Sequence, residues 1–327
     1  MKPNGRSGPT TQLDHSRRRR LRFGLLAVSC ALVCCSRQGP HVVTTPTLAP
    51  ALPTPTEKAG FVIDGAPNAL IAQGDAALKA KDYVGAQKSY EEASKDADGK
   101  VQGSALNRLG ELYAWGFLGA QDSRSKAFGF YQRSAALGNA YGAANLGSSL
   151  FFGQGTARNL PEAFRWAQKG AEAGVPEALN QLGWQYLDGM GVVADIGSAK
   201  QFYARSAALG DPVGEAQLGW IYGHVAPIDY AVAMKWYKKA AEQHQDMAEN
   251  NLGFLYENGL GVTLDYAEAA RWYQMAADSG YARAQFHLGV LYAQGRGVPK
   301  DASKARELIE QASQSGDEAA AEWIRAH

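Results

Sequence analysis

Ser123 and Lys126 stand three residues apart in the run Ser123-Arg124-Ser125-Lys126. On a helix that spacing puts a hydroxyl and an amine on one face, where a lysine can serve a serine nucleophile as base. The S-D-N and K-T-G segments that accompany S-x-x-K in serine enzymes are absent from the chain. Ser123 also falls at the register of Asp195 and Asp265, polar residues that open helices, so a helix cap is the simpler reading. His224, His244 and His287 are too widely spaced to share a helical face or to match zinc-ligand spacing. All three cysteines, Cys30, Cys34 and Cys35, lie near the N-terminus, so the rest of the chain has no thiol for Cys–His chemistry. Gly-x-Gly pairs could cradle phosphate, but each follows a helical pattern rather than a strand. The expectation is no catalytic residue, no metal ligand and no cofactor.

The elements that position these groups form a repeat. Leu-Gly recurs at Leu109-Gly110, Leu146-Gly147, Leu182-Gly183, Leu218-Gly219, Leu252-Gly253 and Leu288-Gly289, at steps of 37, 36, 36, 34 and 36 residues. A fixed period in this range marks stacked supersecondary units. Four residues before each leucine is a small residue (Ala105, Gly142, Ala178, Gly214, Ala248, Ala284). Four after it is Tyr113, Tyr186, Tyr222, Tyr256 or Tyr292, with Leu150 in the second unit. That spacing draws one helix face. A second stripe sets Ala127, Ala163, Ala199, Ala233, Ala269 and Ala305 three residues before Phe130, Trp166, Phe202, Trp236, Trp272 and Leu308. Alanine opposite glycine predicts close approach of the two helices, and these aromatics read as core. Gly153/Gly155, Gly189/Gly191, Gly259/Gly261 and Gly295/Gly297 end the first helices. Asn159, Asp195, Asp229, Asp265 and Asp301 cap the second.

The pattern A-x-x-x-L-G-x-x-Y-x-x-G-x-G-V…D-x-x-x-A-x-x-W-Y-x-x-A-A-x-x-G resembles the Sel1-like repeat, a relative of the tetratricopeptide repeat, over residues 104–316. The resemblance implies an all-α, right-handed α-solenoid of six helix–turn–helix units that binds proteins and does no chemistry. Some cysteine-rich Sel1-like proteins are linked to β-lactam binding, which keeps a serine-type β-lactam-interacting enzyme at Ser123 and Lys126 as a third reading. Two units depart from the pattern: the fourth reads Gly223-His224-Val225-Ala226, without a second glycine, and the first reads Gly116-Phe117-Leu118-Gly119. Residues 67–103 resemble one tetratricopeptide-like helical pair, and residues 317–327 predict a capping helix.

The ends of the chain carry a different signal. Arg17–Arg20 and Arg22 lead into LRFGLLAVSCALVCC, residues 21–35. A basic stretch before a short apolar run describes an export signal, and the run is short for a membrane span. Leu32-Val33-Cys34-Cys35 resembles a bacterial lipobox with Cys35 as the lipidated residue; Cys34 and Cys30 are alternative processing sites. Residues 1–35 thus read as a signal peptide and 36–66, with Pro40, Pro46, Pro50, Pro53 and Pro55, as a tether of polyproline character. The expected location is periplasmic, lipid-anchored to the outer membrane; an uncleaved N-terminus would instead leave the array facing the cytoplasm. Removing residues 1–34 takes away seven of 33 basic residues and one of 32 acidic ones, leaving net −5. Nothing in that charge favours a nucleic-acid partner.

Opposite each leucine lies a column that lines the concave groove in tetratricopeptide-like arrays. Trp184, Trp220 and Phe254 follow their leucines by two, Asn107, Asn180 and Asn250 precede theirs by two, and Glu177 and Arg283 precede theirs by five. Aromatics supply rigid contact area and asparagines can pair with a peptide backbone. The expected partner is an envelope protein or peptide. Packing between units is the competing reading of the column, and a periplasmic receptor stacking a glycan or peptidoglycan fragment on Trp184 and Trp220 is the second function.

Overall fold

The computed structural model describes residues 68–119 and 122–326; the expected signal peptide, tether and Cys35 lie outside them. The described residues hold 15 helices and no strand. They fall into two compact units, 68–243 and 244–326. The first contains α1 (Ala69–Lys79), α2 (Tyr83–Ala93), α3 (Gly99–Ala114), α4 (Ser123–Ala136), α5 (Ala140–Phe152), α6 (Leu160–Glu172), α7 (Pro176–Asp188), α8 (Ile196–Ala208), α9 (Pro212–His224) and α10 (Tyr230–Ala241). The second contains α11 (Asp246–Asn258), α12 (Tyr266–Asp278), α13 (Ala282–Gln294), α14 (Ala302–Gln314) and α15 (Glu318–Ala326). α3 runs across the boundary expected at residue 104. The architecture is an all-α solenoid of helical hairpins.

Each hairpin is closed by the turn chemistry its sequence encodes. Asn159, Asp195, Asp229, Asp265 and Asp301 are N-caps whose side chains accept from backbone N–H groups of the first turn. The caps also donate their own N–H back to the carbonyl four residues after the repeat leucine: Leu150, Tyr186, Tyr222, Tyr256 and Tyr292. Gly191 shows why the second glycine is needed. Its φ is +81°, and a Cβ there would lie 2.8 Å from the Leu160 carbonyl group at the start of the preceding unit's second helix. In the fourth unit Val225 ends the first helix in extended conformation, so that turn does differ. Ser123 is the first helical residue of α4, and Asp122 precedes it as the cap position; this corrects the assignment of Ser123 as the cap.

The mid-helix glycine has a larger partner than alanine. A Cβ on Gly253 would sit 2.6 Å from Tyr273 Cδ1, and one on Gly219 or Gly183 would sit 2.7 Å from Tyr237 or Tyr203. Gly110 meets Tyr131 in the same way. Gly74 and Tyr90 repeat the relation in α1 and α2, so the N-terminal pair shares the design. Alanine stands opposite glycine in one hairpin, where Gly147 lies over the Ala163 carbonyl and the Ala167 amide. Gly289 meets Ile309. Tyr90, Tyr203, Tyr237 and Tyr273 are at most 1 % exposed. The expected core aromatics three residues after the alanines are instead half-buried at Trp166, Trp236 and Trp272. Cations three residues on cover several of them: Lys169 lies 4.0 Å from the Trp166 ring centre and Lys239 5.6 Å from that of Trp236.

Gly253→Ala therefore forces the Tyr273 ring aside and should destabilise the protein by about 1–3 kcal/mol, although alanine is the better helix former. Gly129→Ala, in α4 with open space at its Cβ, should stabilise by about 0.5–1 kcal/mol. Urea unfolding followed by circular dichroism checks both; the same sign for the two variants would contradict the packing account.

Candidate binding surface

The expected column separates into residues that hold the units together and residues that face outward. Asn107 is 1 % exposed; it donates to Glu111 Oε1 at 3.2 Å and accepts from Asn145 Nδ2, one unit on, at 2.9 Å. Asn180 Nδ2 donates to Asp211 Oδ2 at 2.8 Å. Asp211 is the N-cap of α9, and the same oxygen also accepts from Ser206 Oγ and the Gly214 amide. Arg283 Nε reaches Asp317 Oδ2 at 2.6 Å, while Asp317 Oδ1 caps the last helix through Ala320. One geometry thus recurs: the residue opening a first helix pairs with the first helix of the preceding unit. Asn139, which caps α5 and donates to Ser104 Oγ at 3.3 Å, follows it too. Asn250 is 6 % exposed and donates to Asn251 Oδ1 at 3.3 Å.

The aromatics divide likewise. Trp184 is 8 % exposed, tilted against Phe151 and Phe152 of the preceding unit with ring centres 4.8 and 5.8 Å away. Its indole N–H donates to Asp188 Oδ2 at 2.6 Å. Burial pushes the Asp188 carboxyl above its ordinary value, and that hydrogen bond pulls it back. Trp220 is half-buried and lies parallel to the exposed His224 ring, 4.9 Å between centres. His224 Nδ1 is 3.0 Å from the Trp220 carbonyl, which fixes the pair as one flat platform. Phe254, in the second compact unit, is 39 % exposed, and Glu177 is exposed in the first turn of α7. Sequence reasoning passed over the apolar turn tips Val193 and Ile228, 85 % and 51 % exposed; a valine or isoleucine beside a helix cap is the only signal they give.

The chemical candidates are equally placed. Lys126 is exposed, with its ammonium 5.5 Å above the Tyr113 ring. Among the described residues no group of three or more His, Cys, Asp or Glu could hold a metal ion, and no helix is long and apolar enough to cross a membrane. His287 stacks on Tyr273 at 4.9 Å, and Tyr273 donates to Glu257 at 2.7 Å. The His287 Nδ1 lies 3.9 Å from the same carboxylate, with Arg283 and Asp317 the other charges near it. Burial and then Arg283 hold its imidazole down at about 4, with Asp317 opposing.

Tandem hairpins of one grammar define an α-solenoid. The Sel1 repeat model matches residues 103–139, 140–175, 176–211, 212–244, 246–281 and 282–317, and the chain belongs to the Sel1 repeat family, whose members serve generally as protein-interaction scaffolds. The chain is similar to a Sel1 repeat protein from Oxalobacter formigenes, at 29 % identity and TM-score 0.67 over 75 % of this chain and 99 % of that one. It is also similar to c5321, a protective antigen of uropathogenic Escherichia coli, at 27 % identity and TM-score 0.55 over 77 % of this chain. The match spans 55 % of that antigen's length. No curated protein sequence matches the chain.

A histidine held neutral in the folded state stabilises it above the unfolded value near 6.5, and that stability drains away as pH falls from 6.5 toward 4. The parent should lose on the order of 2 kcal/mol across this window beyond what His287→Gln loses. Denaturant titrations at pH 7, 5.5 and 4 measure the difference; parallel losses in the two proteins would contradict the assignment.

Proposed function

We propose that this chain is a non-catalytic scaffold of a bacterial cell envelope, exported, lipid-anchored to the outer membrane through Cys35, and holding a partner protein on the face of its first helices. The observation that carries the docking surface is the Trp220–His224 platform. Trp184, Asn107 and Asn180 of the same column are occupied by neighbouring units, whereas Trp220 offers a flat amphipathic ring beside an exposed imidazole. Such rings dominate binding energy at protein interfaces. Glu177, in the same compact unit, extends the accessible column, and Phe254 is exposed in the second unit. The anchor rests on the basic stretch, the apolar run and Leu32-Val33-Cys34-Cys35. A relative described as a protective antigen supports an envelope role.

A photo-crosslinking amino acid at position 220, with exposed Lys235 on α10 as control, should capture one protein in the bacterium from 220 alone. Adducts of equal identity and yield from 220 and 235 would contradict the docking surface. For the anchor, radiolabelled palmitate should enter the parent and be lost in Cys35→Ala; label retained there and lost in Cys30→Ala would move the site.

A further inference from the structure

The second unit is the one whose first helix carries leucine, Leu150, where the other units carry tyrosine. In three other hairpins of the first compact unit that tyrosine bridges to the second helix of the preceding hairpin. Tyr113 accepts from Gln87 at 3.2 Å, Tyr186 meets the Phe164 ring edge-on at 5.5 Å, and Tyr222 lies 4.1 Å beneath the Lys200 ammonium. Gln87, Phe164 and Lys200 share one register, three residues before the residue that meets the mid-helix glycine. The fourth member of that register is Phe128. Leu150 and Phe128 together line an open cleft of about 660 Å³, within the size range of ligand pockets. Leu160 and Pro161 add apolar wall, and Gln132 and Arg158 add polar groups. Arg158 is held in place: its Nε donates to the Phe151 carbonyl at 2.9 Å and its guanidinium lies 5.4 Å from that ring's centre.

We infer that this cleft is a binding site for an aromatic ring carrying a hydroxyl, and that it receives a tyrosine side chain of the partner polypeptide. The chain shows what fits: in the equivalent places its own tyrosine ring lies against the preceding hairpin. The cleft has the same framework with the ring removed and Leu150, 4 % exposed, as its floor. A phenol ring can lie against Phe128 and Leu160 while its hydroxyl reaches Gln132 or Arg158 at the rim. The inference rests on the scaffold reading for the source of the ring, and it places a second contact away from Trp220.

The probes are p-cresol and N-acetyltyrosinamide, followed by NMR of the full chain. Both should bind saturably and shift the signals of Leu150, Leu160 and Gln132. Leu150→Tyr should fold with an unchanged or higher melting temperature, because the other units already carry tyrosine, and should lose both probes. Neither probe shifting those signals, or Leu150→Tyr binding them as the parent does, would overturn the site. Binding of p-cresol with rejection of N-acetyltyrosinamide would overturn the polypeptide source and point to a free phenol. Crosslinking from position 220 separates the two readings. An adduct there without probe binding sinks the cleft and leaves the scaffold; probe binding without an adduct sinks the docking face and leaves the cleft as a phenol site.

Discussion

One close contact between the two helices of a hairpin is the one on which the others depend. In five hairpins a tyrosine ring from the second helix packs against a glycine in the first, at a distance no Cβ would permit. Glycine in a helix interior costs roughly 1 kcal/mol relative to alanine. Full burial of a tyrosine body offsets that cost, since an aromatic side chain removes a large apolar area from water. Tyr90 and Tyr273 keep their hydroxyls paired with Asp75 and Glu257, so the rings are buried without orphaning the polar end. With the helix pair fixed this way, the turn lengths, the caps and the position of the next hairpin follow.

Between hairpins, polar bonds accompany the apolar packing. Asn180 with Asp211 and Arg283 with Asp317 tie a first helix to the cap of the next one. Asn107 with Asn145 adds a bond between successive first helices. These contacts fix the stacking register, and they consume donors that a peptide would otherwise use. What remains for recognition is whatever the stacking leaves uncovered: the Trp220–His224 platform, Phe254, and the cleft floored by Leu150.

The fold was legible because its signals are repeated and local. Leucine, glycine, tyrosine and cap residues recur in phase, and each encodes a helix face or a helix end. The glycine's partner was not legible. Ala163 and Ala167 suggest close helices, but whether alanine or tyrosine meets the glycine depends on how the second helix is rotated, which spacing alone does not fix. The same limit applies to Trp166 and Trp236, whose stripe reads as core although lysines shield them at the surface. For the candidate surface, residue type marks a column of positions but not which of them the stacking covers. Trp184 and Trp220 are equivalent in sequence. They differ because Phe151 and Phe152 cover Trp184, and that contact joins residues one repeat apart.

A double-mutant cycle on Gly253→Ala and Tyr273→Leu tests the glycine–tyrosine contact most directly. Leucine at 273 removes the ring that the new Cβ would strike, so the second substitution should cost far less in the presence of the first. The contact predicts a coupling free energy of at least about 1 kcal/mol in urea unfolding, outside the roughly 0.3–0.5 kcal/mol scatter of independent sites. Additive losses within that scatter would mean that glycine and ring do not constrain each other and that another contact sets the hairpin.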